Sequence, residues 1–263
     1  MPSIRRFVLM SGLMVGFLVA SLAVGLFAGL APATAGSPIA VVKSLKTLNA
    51  KANYPTYQAE YDQFTGWLKQ FFAYDELTDD DVVAGKLAGY QLVILPNNAV
   101  MSPAEVDAIT QFAKGGGKVF AVFSVGLRNP GLQLVGLQLG PLFGVKWVQW
   151  MGDQNFKQIQ IVEESPILKD APQVIPVGTG STQIIELVGD GRMLGVRASA
   201  DGTLAMSNPA VIVESDAGVY FANQILAGAN LQAPEAQQLV YSIIKAYAPG
   251  AVIQAFAPVE VKA

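Results

Sequence analysis

The 263-residue chain contains no cysteine and no histidine. The missing cysteines exclude disulfide bonds and thiolate metal sites, and the missing histidines exclude imidazole metal ligands. Together the two absences exclude Cys–His and Ser–His catalytic pairs. Charged residues are also few, at 14%, whereas 52% of the residues are hydrophobic. This composition is typical of a folded chain, and we expect neither a cofactor nor a metal ion in it.

Basic residues are too few to suggest a surface for nucleic acid. The chain has 17 basic and 20 acidic residues, which gives a formal net charge of −3. A protein that binds a phosphate-rich partner concentrates lysine and arginine in a basic patch, and no such patch is visible in the sequence. We therefore expect no nucleic-acid partner.

The first 35 residues have the three parts of an export signal. Arg5 and Arg6 are their only charges, residues 7–30 form an apolar run broken only by glycine and serine, and Ala33-Thr34-Ala35 has the pattern of a signal-peptidase site. The apolar run is also long enough to span a bilayer. Residues 1–35 are therefore either a signal peptide or an N-terminal membrane anchor. In both cases the two arginines hold the N-terminus inside, so we expect an extracytoplasmic domain that meets the membrane only through residues 7–30, if these are not cleaved off.

The first half of the remaining chain alternates between apolar strands and amphipathic helices. Ser102-Pro103-Ala104-Glu105 is the clearest helix start, because it combines a capping box with proline at the first helical position. The predicted strands cover residues 39–42, 72–77, 91–95 and 118–123, and the predicted helices cover residues 57–71, 78–87 and 102–114. This β-α-β-α-β-α-β order predicts a parallel sheet with helices on both faces.

The second half changes to short strands that are joined by turns. They are predicted at residues 158–162, 173–177, 182–188, 193–198, 210–214 and 218–222, and Pro234 begins a last helix. We therefore predict an α/β fold: a three-layer sandwich with a flavodoxin-like parallel sheet and a β-rich insertion between about residues 145 and 200. The domain spans residues 36–250, and residues 251–263 are predicted to form a loosely ordered tail.

Several short motifs are shared with one known superfamily. In the first half they are residues 87–97 (LAGYQLVILPN), 101–105 (MSPAE) and 115–119 (GGGKV). On these segments the chain resembles the class I glutamine amidotransferase-like superfamily, and within it the non-catalytic branch that includes the β-galactosidase trimerisation-type domain. Leu142-Phe143-Gly144-Val145 and Val219-Tyr220-Phe221 also match that branch, whereas Ser165-Pro166-Ile167 stands where it often has histidine-proline-leucine. A related domain of gliding-motility and ciliary-transport proteins shares the strand, the capped helix and the glycine-rich turn, and both subfamilies stay open. The resemblance covers about residues 38–248.

The resemblance, together with the missing cysteine and histidine, implies a non-enzymatic binding or assembly module. Its partner is then a small molecule, a glycan or a protein, and a homo-oligomer is one form of such assembly. Doubly wound folds bind ligands at the carboxyl edge of their sheet. The polar residues that follow predicted strands at that edge are Asn97, Asn98, Ser124, Asn223 and Gln224. The alternative is that these are ordinary polar loop residues.

Ser124 takes the place of the catalytic cysteine when Gly117-Lys118 is aligned with the glycine-lysine pair of the amidotransferases. A serine nucleophile needs a base, for instance Lys146 or Glu163, but no spacing selects one. The alternative function is therefore an extracytoplasmic hydrolase of a glycan or an amide that uses Ser124 or a pair of carboxylates. The carboxylates that are not obvious helix caps are Glu60, Asp62, Asp153, Glu163, Glu164, Glu186, Glu214 and Asp216.

Three further clusters have two interpretations each. Asp79-Asp80-Asp81 favours a helix N-terminus over a metal site, because successive helical residues point about 100° apart. Gly115-Gly116-Gly117 runs from a helix into a strand, so it is typical of a turn rather than of a phosphate-binding loop. The aromatic residues Trp147 and Trp150, together with Tyr54 and Tyr57, either belong to the core or form a platform for sugar rings.

Overall fold

A computed structural model of the chain describes residues 36–152, 155–178 and 180–257. The predicted leader at residues 1–35 lies outside the described residues, and so do residues 258–263 of the predicted tail. None of the described helices combines the length and the apolar character that a bilayer crossing requires.

The strands and helices are numbered in chain order. The strands are β1 Ile39–Lys43, β2 Asp75–Thr78, β3 Leu92–Pro96, β4 Lys118–Val122, β5 Val145–Gly152, β6 Gln158–Ile161, β7 Val174–Pro176, β8 Ser181–Leu187, β9 Arg192–Ala198, β10 Ala210–Ser215 and β11 Gly218–Phe221. The α-helices are α1 Leu45–Asn49, α2 Tyr57–Leu68, α3 Asp79–Val83, α4 Pro103–Lys114, α5 Gly228–Leu231 and α6 Pro234–Tyr247.

Nine of the described strands form one sheet in the order β2-β1-β3-β4-β11-β10-β9-β6-β7. The first five strands of this order run parallel to one another. With β11 as the fifth parallel strand, their order is the 2-1-3-4-5 order of flavodoxin-like folds. The prediction of an α/β fold with a flavodoxin-like parallel sheet is confirmed.

Both faces of the sheet are buried, which makes three layers. Alternate residues of β1 point to opposite faces, so Ile39 and Val41 join one apolar core, while Ala40 and Val42 join the other. The first core contains the apolar faces of α2 and α6, and the second contains Val82 of α3 and Ile109 of α4. Strands that are buried on both faces are apolar throughout, which is why β3 is fully buried over its whole length.

Local capping signals decide where two of these helices begin. The Ser102 backbone N–H donates to Glu105 Oε2 over 2.8 Å, while the Glu105 backbone N–H donates to Ser102 Oγ over 3.4 Å. Thr78 and Asp81 exchange the same pair of hydrogen bonds at the start of α3. The capping interpretation of the acidic run is therefore confirmed. Helix α3 is shorter than predicted, because the chain turns at Gly85, whose φ of 80° is left-handed.

The β-rich segment predicted between about residues 145 and 200 is present as β5 to β9, and most strands of the second half extend the central sheet. β10, β9, β6 and β7 continue the sheet beyond β11 as antiparallel neighbours. The physical reason is burial: Ile159 of β6 and Ile175 of β7 lie in the same apolar core as α6. Only β5 and β8 stand apart, as a two-stranded antiparallel ribbon among the described strands. Strand β5 was not predicted.

Within the predicted tail, residues 251–256 make contacts with the rest of the domain, although residues 253–255 are exposed. The Ala73 backbone N–H donates to the Ala251 carbonyl over 2.8 Å, and the Ile253 N–H donates to the Phe71 carbonyl over 2.8 Å. The ring of Phe256 lies 5.3 Å from the ring of Phe71, between their centroids. Because these groups gain partners that an exposed tail lacks, this part of the chain belongs to the folded domain.

Candidate functional site

A cavity opens where three neighbouring parallel strands end. β3, β4 and β11 lie side by side, and their carboxyl ends meet at one edge of the sheet. The cavity has a volume of about 570 Å³ and is lined there by Asn97, Ser124 and Gln224. Its other walls come from residues 53–57, the loop after β4 and the β5–β8 ribbon. Three of the five predicted site residues are thus brought together on one wall.

Two non-glycine residues at this edge have left-handed backbones, Asn97 with a φ of 58° and Phe123 with a φ of 60°. Each such conformation costs about 1–3 kcal/mol, so the surrounding structure must hold it. The Phe123 N–H donates to the Phe221 carbonyl over 2.7 Å, and the buried Tyr220 hydroxyl donates to the Phe123 carbonyl over 2.7 Å. These two bonds fix the bend that brings Ser124 onto the cavity wall.

Ser124 belongs to a chain of hydrogen bonds that ties the sheet edge to the ribbon. The Gln183 Nε2 donates to Ser124 Oγ over 2.8 Å, and Trp147 Nε1 donates to Gln183 Oε1 over 2.7 Å. The Ser124 backbone N–H also approaches Asn97 Oδ1 at 3.4 Å. Both heavy atoms of the Gln183 amide are therefore used, and this one side chain links β4 with β5 and β8.

The groups around Ser124 do not activate its hydroxyl as a nucleophile. In nucleophile-elbow enzymes the nucleophile occupies the strained residue between a strand and a helix. Here that strained residue is Phe123, and residues 123–126 form turns rather than a helix. The side-chain partner of Ser124 Oγ is the neutral amide of Gln183, which cannot act as a base. Neither Lys146 nor Glu163 is among the described residues that line the cavity.

Two of the predicted carboxylates do come together, but outside this cavity. Arg192 lies between Glu163 and Glu214, at 2.6 Å from a Glu163 oxygen and 3.2 Å from a Glu214 oxygen. A glycosidase pair needs substrate or water in the space between its carboxylates, and here the guanidinium fills that space. Of the other candidates, Asp153 lies outside the described residues.

The two tryptophans of β5 face the same way because the strand has a bulge. Trp147 pairs with Ile185 and Trp150 pairs with Gln183, while the register shifts between Trp147 and Gln149. Ile185 and Gln183 are two residues apart on β8, so they and their partners point to the same face. Without the bulge, a spacing of three would place the two indoles on opposite faces. Both tryptophans line the cavity, and Trp150 is 56% exposed.

Tyr54 and Tyr57 also line the cavity. Tyr57 begins α2, is buried, and accepts a hydrogen bond from the Ser44 backbone N–H over 2.7 Å. Burial raises the pKa of the Tyr54 hydroxyl, and the neighbouring Arg128 guanidinium opposes that rise. All four aromatic residues that were predicted as either core or platform thus contribute to one cavity.

Asn98 and Asn223 lie apart from the cavity. Both are buried, and neither is among its lining residues. Asn98 donates to the Val42 carbonyl over 3.1 Å, which ties β3 to β1. Asn223 forms an isolated bridge with Thr182, and the next residue, Gln224, faces the cavity. The Asn98 side chain thus ties two strands together, whereas the buried Asn223 side chain has no hydrogen-bond partner among the described residues.

Arg128 and Gln183 line the cavity and were not predicted. Arg128 lies in the loop after β4, beyond the strand ends on which the prediction relied. Gln183 is buried within β8, and only the pairing of β8 with β5 brings it over the sheet edge. Because β8 begins Ser181-Thr182-Gln183, nothing local in the sequence sets Gln183 apart from its polar neighbours.

The sequence matches no protein-family model and no curated protein sequence. Its fold is similar to solved structures. A β-galactosidase from Bacillus circulans sp. alkalophilus matches 82% of this chain at 14% identity, with a TM-score of 0.62. A β-galactosidase from the haloarchaeon Halorubrum lacusprofundi matches 82% at 16% identity, also with a TM-score of 0.62. A putative ThuA-like protein from Bacteroides uniformis matches 83% of this chain and 94% of its own, at 13% identity and a TM-score of 0.51.

These matches show the fold of the chain. The chain itself corresponds to only a part of the larger β-galactosidases. The chain corresponds to 31% of each of the two β-galactosidase chains. The expected likeness to a domain of β-galactosidases is thus confirmed for the fold.

Proposed function

We propose that this chain is a carbohydrate-binding module that uses the cavity at the carboxyl edge of its sheet. The observation that carries the proposal is the convergence of four aromatic residues and a set of neutral hydrogen-bonding groups in one cavity. Sugar rings have apolar C–H faces and a polar rim. An aromatic platform with amide and hydroxyl groups beside it is complementary to both.

The platform is Trp147 with the exposed Trp150, and Tyr54 and the buried Tyr57 complete the aromatic part of the lining. The volume of about 570 Å³ falls within the range of about 300–1,000 Å³ that is usual for small-molecule sites. Asn97 and Gln224 supply side-chain amides to the lining, and Gln183 holds Trp147 in place.

The module is proposed to bind without catalysis. No aspartate or glutamate is among the described residues that line the cavity. The described lining therefore does not contain the pair of carboxyl groups that glycosidases use. Ser124 has an amide as its side-chain partner instead of a base. The parallel sheet order and the short motifs support membership of the non-catalytic branch of the class I glutamine amidotransferase-like superfamily.

The module is also proposed to act outside the cytoplasm. The basic pair Arg5-Arg6, the apolar run at residues 7–30 and the small residues Ala33-Thr34-Ala35 support this. A reporter that is active only outside the cytoplasm, fused after Ala263, should be active. N-terminal sequencing of the mature protein distinguishes a cleaved signal from an anchor, and an active cytoplasm-only reporter would reject the proposal.

The binding proposal is tested by screening the full-length chain against a panel of soluble oligosaccharides. Calorimetry then measures the affinity of each oligosaccharide that binds. Trp150→Ala should weaken binding by about 10- to 100-fold, because a stacked aromatic contact contributes about 0.5–1.5 kcal/mol in addition to the apolar area that it buries. Val148→Ala is the matched control, because Val148 is an exposed residue of the same strand and does not line the cavity. If no sugar binds, or if Trp150→Ala binds as tightly as Val148→Ala, the proposal is wrong.

A further inference from the structure

The cavity has an uneven charge distribution. Of its described lining residues, Arg128 is the only charged one. The other polar side chains there are amides and hydroxyls, which are neutral at any physiological pH. The cavity therefore presents one positive charge to a ligand and no negative charge to balance it.

Arg128 has no ion-pair partner within the described part of the chain. The described salt bridges involve Lys46, Lys86, Arg192 and Lys245. Arg128 Nη1 donates to the Leu132 carbonyl over 2.7 Å, and the Tyr54 hydroxyl is its other side-chain neighbour. A guanidinium has five N–H donors, so donors remain for a ligand.

The position of Arg128 is fixed before any ligand arrives. Its backbone N–H donates to the Ala99 carbonyl over 2.9 Å, and its carbonyl accepts from the Met101 N–H over 3.0 Å. The carbonyl that orients the guanidinium belongs to Leu132, whose φ of 61° closes a tight turn. Neutral backbone groups thus hold both the main chain and the guanidinium of Arg128. The residue therefore keeps its full charge and loses little side-chain entropy when it binds an anion.

We infer that the ligand of this cavity is an acidic sugar, whose anionic group binds Arg128 while its ring stacks on the tryptophans. This inference rests on the proposed function and adds the charge of the ligand to it. A carboxylate on the ring, as in a uronic acid, and a sulfate ester share the required chemistry, because both present paired oxygens to the guanidinium fork. A neutral sugar leaves Arg128 without a counter-charge.

The test compares three oligosaccharides of equal length in calorimetry with the full-length chain: an oligogalacturonate, its neutral galactose counterpart and a sulfated galactose oligomer. An acidic oligomer should bind at least about tenfold more tightly than the neutral one, as expected for a hydrogen-bonded ion pair. The preference should shrink as salt is added. Tight binding of the uronate or of the sulfated oligomer supports the inference and identifies the anionic group.

Variants separate the role of Arg128 from general electrostatics. Arg128→Gln should abolish the preference for the acidic oligomer, whereas Arg128→Lys should keep part of it. Lys146→Gln is the matched control, because it removes one positive charge next to Trp147 from a residue that does not line the cavity. Thermal melting confirms that each variant is folded, and the neutral oligomer reports whether the cavity is intact.

Three results overturn the inference, and they lead to two distinguishable conclusions. Equal affinity for neutral and acidic oligomers in the unmodified chain contradicts the role of Arg128 and leaves the proposed carbohydrate site standing. The same conclusion follows if Lys146→Gln lowers the preference as much as Arg128→Gln. If none of the three oligomers binds, the proposed function fails and this inference fails with it.

Discussion

Trp147 donates its indole N–H to Gln183 Oε1 over 2.7 Å, across the two strands of the ribbon that covers the cavity. The Gln183 amide nitrogen in turn donates to Ser124 Oγ over 2.8 Å, at the edge of the central sheet. The aromatic platform and the sheet edge are thus connected through a single buried side chain. The orientation of Trp147 in the site depends on that connection.

Gln183→Leu removes both hydrogen bonds at nearly constant volume. We expect it to lower the free energy of unfolding by about 1–3 kcal/mol, because the Ser124 hydroxyl and the Trp147 N–H lose their partner in a buried place. Urea denaturation measures the change. Gln149→Leu on the exposed side of β5 is the control and should change stability by about 0.5 kcal/mol or less. Equal effects of the two substitutions would show that the Gln183 hydrogen bonds contribute nothing.

Tyr220→Phe tests the bond that holds the strained bend at Phe123. The lost hydroxyl donates to the Phe123 carbonyl over 2.7 Å in a buried place, so we expect a loss of about 1–3 kcal/mol of stability. Tyr247→Phe is the matched comparison, because the buried Tyr247 hydroxyl has no hydrogen-bond partner among the described residues. That variant should be as stable as the unmodified chain or more so. Thermal or urea denaturation measures both, and the reverse order of stability would contradict this account of the bend.

Asp79 should make stability depend on pH. Asp79 and Glu105 are both 2% exposed and share Lys46, whose Nζ lies 3.5 Å and 3.0 Å from their oxygens. Burial and the neighbouring Glu105 carboxylate raise the pKa of Asp79 to about 6, although Lys46 opposes the rise. Because the folded state holds the proton more tightly than the unfolded state, the stabilisation is present below about pH 4 and is lost as the pH rises through about 6.

Asp79→Asn removes this titration and keeps an oxygen that can accept from the Lys46 backbone N–H. The stability of the unmodified chain relative to Asp79→Asn should therefore fall by roughly 2 kcal/mol between pH 4 and pH 7. Urea denaturation of both proteins across that range measures the difference. The titration of the carboxylates that are present in both proteins cancels in that comparison. A difference that stays constant with pH would mean that the pKa of Asp79 is ordinary.

Ser124→Ala separates binding from hydrolysis. Since Ser124 Oγ has only the Gln183 amide as a side-chain partner, we expect no turnover of ester, amide or glycoside substrates by the unmodified chain above the level of Ser124→Ala. Sugar binding should change by less than about tenfold, the loss of one neutral hydrogen bond. Turnover that Ser124→Ala abolishes would favour the hydrolase instead.

The sequence predicted the central fold well because its signals are local. The capping box formed by Ser102 and Glu105 marks the start of α4. The fully apolar sequence of β3 indicates a strand in the middle of a sheet. Strand β5 was not predicted, because tryptophans three residues apart break the alternation of a strand, and only the bulge between Trp147 and Gln149 restores it.

The candidate site was predicted in part, for a similar reason. Strand ends indicated Asn97, Ser124 and Gln224, which do share a cavity wall. Gln183 joins them through pairing of distant strands, and Arg128 through a loop. Position after a strand does not reveal which way a side chain points, and so it could not tell Asn97 and Gln224, which line the cavity, from their buried neighbours Asn98 and Asn223, which do not.

The most direct test of the central proposal is a crystal structure of the chain with its tightest-binding oligosaccharide. We expect a sugar ring against the indole of Trp150, with its hydroxyl groups within hydrogen-bond distance of the Asn97 and Gln224 side chains. A sugar that binds elsewhere on the domain, with Trp150 still exposed to solvent, would contradict the account.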